Sequence, residues 1–268
     1  YVYLCKMMPR NSLWLVLILF FSCSGTDPAT DEIKTTLAGL SQTNFNLTDT
    51  CTEINSFEKE IRDGKISKEK MISKLIFFIP YLKNEYYKHE GKDYGTNDWI
   101  FPLQGYTSKN IGGKNGEGYV NGNYNFFDGN KHTGHPAHDI FINDADQDCL
   151  DDKTKEQVNV LSVSGGIVVA TETEWDTASN LRGGKYIWIY EPHTNSIYYY
   201  AHNDSVMVNV CDIVKPGDKI STVGRTGLNA YKKRSPSHLH FMVLMLKENL
   251  TLVPVNPYKD LLNAKLTE

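Results

Sequence analysis

Two groups of histidine and aspartate stand in this chain at spacings that could hold a metal ion. His135 and Asp139 are separated by three residues, and His238 and His240 follow as alternate residues nearer the end of the chain. Imidazole nitrogens and a carboxylate oxygen are ligands that a divalent metal accepts, and a histidine that leaves the metal free can move a proton. Neither pair is specific alone, but together they predict metal-assisted acid–base chemistry.

The local sequence indicates how these side chains are positioned. Residues two apart on a strand point to the same face, so His238 and His240 should project together, and the apolar alternate residues after them continue that face inward. Pro136 disfavours a helix around the first pair, and a loop that leads into a strand over residues 140–142 is expected instead. Asp139 is then expected at the start of that strand.

The composition indicates a globular, mainly β protein. The chain has 268 residues, of which 40% are hydrophobic and 22% charged, and its 16 Tyr and 20 Gly favour strands and turns. A net charge of −4 gives no basic surface for a nucleic acid, so no DNA or RNA partner is expected. Strand-like segments occupy residues 140–142, 158–163, 166–170, 186–190, 196–201 and 239–245. Short strands without long helices between them predict an antiparallel β-sandwich or flattened barrel.

The N-terminal segment has the composition of an export signal. The apolar run at residues 13–21 is too short to span a bilayer comfortably, which is typical of a secretory signal peptide, here over residues 1–23. Cys23 follows a small residue and resembles the cysteine of the bacterial lipobox, although the two phenylalanines before it depart from that motif. Cys23 is therefore the predicted lipid attachment site of an exported lipoprotein. Residues 24–47 are rich in Ser, Thr and Asp and are expected to form a linker.

A helical segment is predicted between the linker and the β domain. Residues 52–62 and 67–88 have helical character, and the second stretch starts with a serine that suits an N-cap position. Pro80 is expected to kink or split the second helix. The predicted boundaries are an accessory helical segment at residues 48–92, which either shields the site or only packs, and a larger β domain at residues 93–268.

Several motifs of the second half together resemble one family, the lysostaphin-like (LytM-type) zinc endopeptidases of bacterial cell walls. The matching pieces, in the order of that family, are His135-x-x-x-Asp139, Ser164-Gly-Gly-Ile-Val168, Tyr200-Ala-His202, Val214-Lys-Pro-Gly-Asp218 and Ser237-His-Leu-His-Phe241. The resemblance implies a zinc metallopeptidase domain over residues 93–268, with a fold of the duplicated hybrid motif type. It also implies one Zn²⁺ per chain, held by His135, Asp139 and His240, and catalytic roles for His202 and His238.

The implied ligand set leaves room for a reacting water. Two neutral imidazoles and one carboxylate fill three positions of a tetrahedral zinc and leave the fourth for a water that the metal acidifies. The chain has no H-E-x-x-H sequence, so a histidine must act as the base. His238 is the better candidate, and His202 would then stabilise the oxyanion or protonate the leaving amine. His138 is expected to stay off the metal, because a fourth protein ligand would displace the water.

Other polar groups have weaker functional signals. Asn180 and Tyr231 stand in loops that flank the proposed ligand strands, where the resembled family walls a groove for its peptide, and both are predicted substrate contacts. The acidic loop at residues 144–152 lacks the glycine and the distal glutamate of an EF-hand. It is therefore expected to be a solvated loop rather than a Ca²⁺ site.

The five cysteines have no C-x-x-C spacing and are not expected to bind zinc. In an oxidising compartment Cys149 and Cys211 could pair, but Cys51 would then be left over. The sequence therefore assigns no disulfide.

The leading hypothesis is a zinc endopeptidase that hydrolyses stem or cross-bridge peptides of peptidoglycan. Such a protein would be exported, held to the membrane of the bacterial cell envelope by a lipid anchor, and would face the periplasm or the cell surface. The alternative is a non-catalytic adaptor that binds the cell wall and activates another hydrolase, but all five implied site positions are occupied here. A cupin-like metal-binding barrel also uses H-x-H, yet it needs a later histidine, and none follows His240.

Overall fold

The computed structural model describes residues 47–267, and within them the fold is mainly β. The predicted signal peptide at residues 1–23, its lipid attachment site Cys23 and the predicted linker as far as residue 46 lie outside the described residues. Residues 47–267 belong to one compact unit. No helix within residues 47–267 combines the length and the apolar character that crossing a bilayer requires.

Two helices begin the described chain, as the sequence predicted. Helix α1 spans Leu47–Arg62 and helix α2 spans Lys68–Lys88. The Ser67 hydroxyl accepts a hydrogen bond of 3.3 Å from the backbone N–H of Lys70 and so caps α2. Buried apolar residues of α2 recur at helical spacing, at Met71, Leu75, Phe78 and Leu82. They form one core with the apolar side chains of α1 and with one face of the sheet.

Helix α2 continues through Pro80, where the sequence predicted a kink or a split. Proline has no N–H to donate to the carbonyl of Ile76, one turn earlier. Both residues lie on the exposed face of the helix, so water can satisfy that carbonyl. Phe78 and Leu82 are buried on either side of the proline and hold the helix against the rest of the protein. Tertiary packing therefore outweighs the local preference of one residue.

Nine strands follow within the described residues, and all their pairings are antiparallel. They are β1 (Ala137–Phe141), β2 (Asn159–Leu161), β3 (Gly166–Glu172), β4 (Lys185–Glu191), β5 (Ser196–Val206), β6 (Ile213–Val214), β7 (Lys219–Val223), β8 (His238–Leu246) and β9 (Leu252–Val255). The main path of the sheet is β1-β8-β5-β4-β3-β6, with β9 on β8, and β7 between β5 and β2. A short helix, α3, spans Tyr258–Asn263. These strands form an open antiparallel sheet, and the predicted mainly β fold class with a small N-terminal helical segment is confirmed.

Both faces of the sheet are covered, so each strand carries apolar side chains on both sides. On β8, Phe241 faces one core and Met242 faces the other. The segment before β1 packs into the first core through residues such as Trp99, whereas α1 and α2 cover the second. His238 and His240 share the face of Met242, because alternate residues of a strand point the same way. The two histidines therefore lie on the face of the sheet that the helices partly cover.

A disulfide joins the helical segment to the β domain. Cys51 of α1 is bonded to Cys211, which stands 160 residues later, immediately before β6. The sequence assigned no disulfide and considered only a Cys149–Cys211 pair, and the structure corrects this, with Cys149 as a free thiol. The cause is the packing of α1 on the sheet, which no cysteine spacing reveals. The side chain of Asn55 supports the same contact, accepting a hydrogen bond of 3.1 Å from the N–H of Thr171.

Loss of the disulfide should destabilise the fold. Replacing Cys51 and Cys211 together by serine removes a cross-link over a long loop, and we expect the free energy of unfolding to fall by about 2–4 kcal/mol. Urea unfolding under oxidising conditions, followed by circular dichroism, measures the change. The matched control is Cys149→Ser, which should unfold close to wild type. An unchanged midpoint in the double variant would contradict the cross-link.

Candidate metal centre

The pairing of β1 with β8 brings the two sequence clusters together. In the register of this pair, Asp139 lies opposite His240, and Phe141 lies opposite His238. The sequence predicted Asp139 at the start of a strand. In the structure β1 already begins at Ala137, so Asp139 lies inside the strand. Side chains opposite one another in an antiparallel pair are direct neighbours. Backbone hydrogen bonds between two strands thus set the contact of the carboxylate with the imidazole.

His135 joins this pair from the loop before β1. The His135 N–H donates to the carbonyl of Val120 at 2.7 Å, and the Val120 N–H donates back at 2.8 Å. Nε2 of His135 lies 3.2 Å from Oδ1 of Asp139, and Nδ1 of His240 lies 3.0 Å from the same oxygen. One ligand atom from each of these three residues lies within 4.8 Å of the others. The structure therefore brings together the three residues that the sequence proposed as metal ligands.

The hydrogen bonds of His135 leave one ring nitrogen free for a metal. Its Nδ1–H donates to the carbonyl of Gly118 at 2.9 Å, so Nε2, on the side of Asp139, is the nitrogen that would bind a metal. Gly118 ends a glycine-rich loop in which Gly113 and Gly116 have φ angles of +80° and +79°. Such angles favour glycine, because a Cβ atom would strain the backbone. The loop therefore orients His135 through a backbone carbonyl.

Asp139 supplies the negative charge at the centre of the group. Burial raises the pKa of its carboxyl, but the hydrogen bonds with His135 and His240 outweigh burial and hold that pKa well below its usual range. The hydrogen bond with Asp139 raises the pKa of His135, and burial lowers the pKa of His240. An ionised carboxylate flanked by two imidazole nitrogens is thus ready to receive a cation.

This donor set fits a zinc ion. Two imidazole nitrogens and one carboxylate oxygen are the ligand types of zinc sites that keep one position open for water or substrate. The side chains of His135, Asp139 and His240 are all half-buried, so the group is partly screened from solvent and still accessible from it. The same three side chains belong to the lining of the cleft described below.

Two further histidines stand next to this group. The ring centroid of His202 lies 4.9 Å from that of His238 and 5.5 Å from that of His240. Nε2 of His238 lies 3.7 Å from Oδ1 of Asp139. In both His202 and His238, the Nδ1–H donates to a backbone carbonyl at 2.7 Å. Their Nε2 atoms therefore carry lone pairs that can accept a proton.

A bulge in β5 positions His202. Its neighbours Ala201 and Asn203 pair with consecutive residues of β4, so His202 has no residue opposite it in that ladder. The φ angle of His202 is +67°, a left-handed conformation that residues other than glycine adopt infrequently. Burial, followed by the nearby imidazoles of His238 and His240, lowers the pKa of His202 well below its usual value. The imidazole is accordingly neutral near pH 7.

His138 lies on the other face of β1. It stands opposite Phe241 in the ladder and is fully buried, with its ring beside those of Tyr119 and Tyr258. Its Nε2–H donates to Oδ1 of Asn256 at 2.9 Å. The strand alternation that turns Asp139 toward the metal group thus turns His138 away from it.

The histidines line a cleft of about 270 Å³ that also includes part of the helical segment. Glu58, Ile61 and Arg62 of α1 belong to its lining. Five aromatic residues, here called the aromatic wall, also line it: Tyr124, Phe126, Tyr186, Trp188 and Tyr199. The sequence analysis did not identify these residues as part of the site, because they meet only in the folded chain. For example, Glu58 and Tyr186 are joined by a hydrogen bond but stand 128 positions apart in the sequence. The one sequence pattern that could have indicated an aromatic lining is the recurrence of aromatic residues along β4 and β5.

The two predicted substrate contacts lie beside the cleft rather than in its lining. Leu181 and Ala230 line the cleft, whereas their neighbours Asn180 and Tyr231 do not. The ring of Tyr231 packs 5.5 Å from that of Trp175, centroid to centroid. The roles of Asn180 and Tyr231 in binding a substrate stay predictions.

The acidic loop after β1 uses its first carboxylate for internal hydrogen bonds. A second group at metal-binding separation is formed by Asp144, Asp146 and Asp152. The carboxylate of Asp144 accepts hydrogen bonds from the N–H groups of Asp148 and Cys149, at 3.0 and 2.9 Å, and from the hydroxyl of Ser237. Because Ser237 precedes His238, these bonds hold the start of β8 to the loop.

Comparison with known proteins relates the second half of the chain to one peptidase family. Residues 146–257 match the sequence model of peptidase family M23. The matched segment contains His202, His238 and His240, and it starts after His135 and Asp139. The pairing of β1 with β8 therefore supplies the part of the site that the matched segment lacks.

Solved structures of similar proteins cover parts of the chain. The LytM protein from Ruminococcus gnavus is 28% identical over 64% of this chain, with a TM-score of 0.42. The catalytic domain of lysostaphin from Staphylococcus simulans is 27% identical over 48% of this chain and 79% of that chain, with a TM-score of 0.35. A zinc-containing peptidase from Vibrio cholerae is 21% identical over 60% of this chain and 39% of that chain, with a TM-score of 0.38. The present chain spans 64% of the length of the Ruminococcus protein.

Removal of one ligand should abolish metal binding. We expect the wild-type chain to hold about one zinc ion, and Asp139→Ala and His240→Ala to hold almost none after dialysis, because two remaining ligands bind zinc weakly. Inductively coupled plasma mass spectrometry measures the content, and circular dichroism checks the fold. His193→Ala, which removes a histidine 48% exposed in a turn, is the control and should keep its zinc. Full zinc content in both ligand variants would disprove this site.

Proposed function

We propose that this chain is a LytM-type, zinc-dependent endopeptidase acting on peptidoglycan peptides, a proposal supported by the match of residues 146–257 to peptidase family M23. The bonds it would hydrolyse lie in the stem or cross-bridge peptides of the cell wall. The observation that carries the proposal is the convergence of His135, Asp139, His202, His238 and His240 in one cleft. Three of these groups supply metal ligands, and the remaining two supply proton acceptors, which is the equipment that amide hydrolysis needs.

His135, Asp139 and His240 would hold the metal in this proposal. Bound zinc would supply Lewis acidity, which polarises a peptide carbonyl and lowers the pKa of a coordinated water. Nε2 of His238 lies 3.7 Å from Oδ1 of Asp139 and would be placed to accept a proton from water at the metal. The carbonyl of Pro236 holds the opposite nitrogen as a donor, so the accepting tautomer is fixed before substrate binds.

His202 has a different proton chemistry from His238. The carbonyl of Thr226 fixes its tautomer in the same way, with Nε2 as the acceptor. However, burial depresses the pKa of His202, so its imidazole is a weak base and, once protonated, a strong acid. That character suits delivery to the leaving amine of the proton that His238 takes from water, once this proton has passed to His202, whose ring centroid lies 4.9 Å from that of His238. His238 is then the residue that first removes the proton from water.

A non-catalytic adaptor is the other function considered for such a fold. Adaptors of this kind are expected where ligands or proton acceptors have been lost. Here the three ligand residues and both further histidines are present and lie in contact. The catalytic function is therefore favoured over the adaptor.

The proposal includes export to the bacterial cell envelope and a lipid anchor at Cys23. Two features support it. The apolar run at residues 13–21 and the cysteine that follows have the order of a lipoprotein signal. The disulfide between Cys51 and Cys211 suits an oxidising compartment outside the cytoplasm.

Loss of either proton acceptor should remove activity without removing the metal. We expect His238→Ala and His202→Ala to keep about one zinc per chain and to hydrolyse purified peptidoglycan about 10²–10⁴-fold more slowly than wild type. Release of new amino groups from peptidoglycan measures the rate, and mass spectrometry of the products identifies the bond. His193→Ala is the matched control and should stay active.

Two outcomes would contradict this function. If His238→Ala hydrolyses peptidoglycan as fast as the wild-type chain does, His238 takes no part in the mechanism. Binding of peptidoglycan by zinc-loaded wild type without any release of amino groups would favour the adaptor.

A further inference from the structure

A carboxylate from the helical segment lies in the same cleft as the metal group. Glu58 of α1 is half-buried, and its Oε2 accepts a hydrogen bond of 2.7 Å from the hydroxyl of Tyr186. Helix α1 is attached to the β domain by the disulfide at Cys51 and by the hydrogen bond of Asn55. The position of Glu58 relative to the sheet is therefore set by the fold and not by a free segment.

The basic residues near Glu58 are paired with other carboxylates. Arg62 donates to Glu172 at 2.8 Å and to Asp63 at 2.7 Å, and Lys59 lies 3.3 Å from Glu172. No basic side chain within residues 47–267 forms a direct ion pair with Glu58. Its hydrogen-bond donor, Tyr186, is neutral. Glu58 thus presents a carboxyl group to the cleft without a cation paired directly to it.

Burial of this carboxylate carries a cost that a cation would offset. Burial raises the pKa of Glu58 to about 7, against the opposing effects of the Tyr186 hydrogen bond and of Arg62 and Lys59. A carboxyl that served only to fill space could be replaced by an amide or an apolar group at no such cost. A positive group arriving in the cleft would pair with Glu58 and favour its ionised form.

The aromatic wall lies beside Glu58 in the cleft. Within the aromatic wall, Trp188 and Tyr199 stack with centroids 4.2 Å apart, Tyr186 and Tyr199 lie 5.5 Å apart, and Phe126 meets Trp188 at 5.7 Å. Aromatic faces attract cations through their quadrupole, and a set of them beside a carboxylate is suited to an alkylammonium. An anion would meet the charge of Glu58, and a purely apolar group would leave that charge buried.

We propose that Glu58 and the aromatic wall form a subsite for a primary ammonium group on the substrate peptide. The group is either a free N-terminal amine or the amine of a lysine-like side chain, two sources of the same chemistry. This inference rests on the proposed function for its substrate. Glu58 binds and orients the peptide relative to the metal group, and it takes no part in the bond-breaking step.

The charge state of Glu58 gives the subsite a pH dependence. An alkylammonium has a pKa of about 10.4 and stays charged throughout the neutral range. Glu58 gains its charge as the pH rises through about 7, so ammonium binding should strengthen from below to above that value. Six other titratable or charged groups interact electrostatically with Glu58: Tyr186, Arg62, Lys59, Glu172, Tyr124 and Tyr199. Burial raises the pKa of each of these tyrosines, so they stay neutral over this range.

A binding experiment tests the subsite without catalysis. Butylammonium chloride is added to the zinc-loaded chain labelled with ¹³C at glutamate carboxyls, and 1-pentanol serves as the uncharged probe of similar length. We expect a saturable shift of the Glu58 signal with butylammonium and a lowered pKa of that carboxyl, but neither effect with pentanol. Glu58→Gln, in which the amide oxygen can still accept from Tyr186, should lose the response. Glu60→Gln removes the same charge from the same helix, outside the cleft lining, and should keep it.

A kinetic experiment tests the role of the subsite in peptide binding. Wall peptides with free amines are compared with the same peptides after acetylation of either the N-terminal or the side-chain amine. For the free peptides, Glu58→Gln should raise KM by about tenfold, the usual scale for losing one partner of a partly buried charge pair, with little change in kcat. Acetylation of the recognised amine should raise the KM of the wild type by a similar factor. On the acetylated peptide, wild type and Glu58→Gln should then have equal KM values.

The outcomes separate this inference from the proposed function. Equal KM values for wild type and Glu58→Gln on cleaved peptides would overturn the subsite and leave the peptidase intact. Failure of wild type to cleave any wall peptide, with the butylammonium response retained, would overturn the function and leave an ammonium-binding site. Equal responses to butylammonium and pentanol, or an undiminished response in Glu58→Gln, would overturn the subsite in either case.

Discussion

The register of one strand pair is the constraint on which the site depends. Asp139 and His240 meet only because β1 and β8 pair at this offset. A slip of one residue would turn the whole of β1 over, since side chains alternate between the two faces. The carboxylate would then enter the apolar core, and His138 would take its place in the cleft. The buried residues on both faces of the sheet oppose such a slip, so packing far from the metal group fixes its ligands.

Much of this arrangement follows from local sequence, and the rest does not. The alternation around His240 predicted the shared face of the two distal histidines, and the density of short apolar runs predicted an antiparallel β fold. The partner of Cys51 was not predictable, because cysteine spacing does not determine connectivity. The uninterrupted helix at Pro80 reflects packing against the sheet, which overrides a local preference. Both of these misses concern contacts between residues distant in the chain, whereas the earlier start of β1, at Ala137, is a local shift of a strand boundary.

The helical segment is the main element whose role the sequence left open between shielding and packing. In the structure it does pack, through an apolar face continuous with the core of the sheet. It also contributes Glu58, Ile61 and Arg62 to the wall of the cleft. A single element therefore adds to stability and shapes the space next to the metal group. Adjacent residues of α1 do each job, since Phe57 is buried in the core and Glu58 lines the cleft.

The left-handed backbone conformation of His202 lowers the stability of the fold, although the proposed chemistry needs an imidazole at this position. A residue with a Cβ atom in a sparsely populated conformation costs on the order of 1 kcal/mol or more, and glycine would adopt the same angle at little cost. Selection for stability alone would therefore favour glycine here, and under the proposed function the demand for an imidazole retains the histidine. In a descendant that no longer needed the imidazole, this position would be among the first free to drift. The identity of residue 202 is thus a sensitive record of whether a lineage still uses the site.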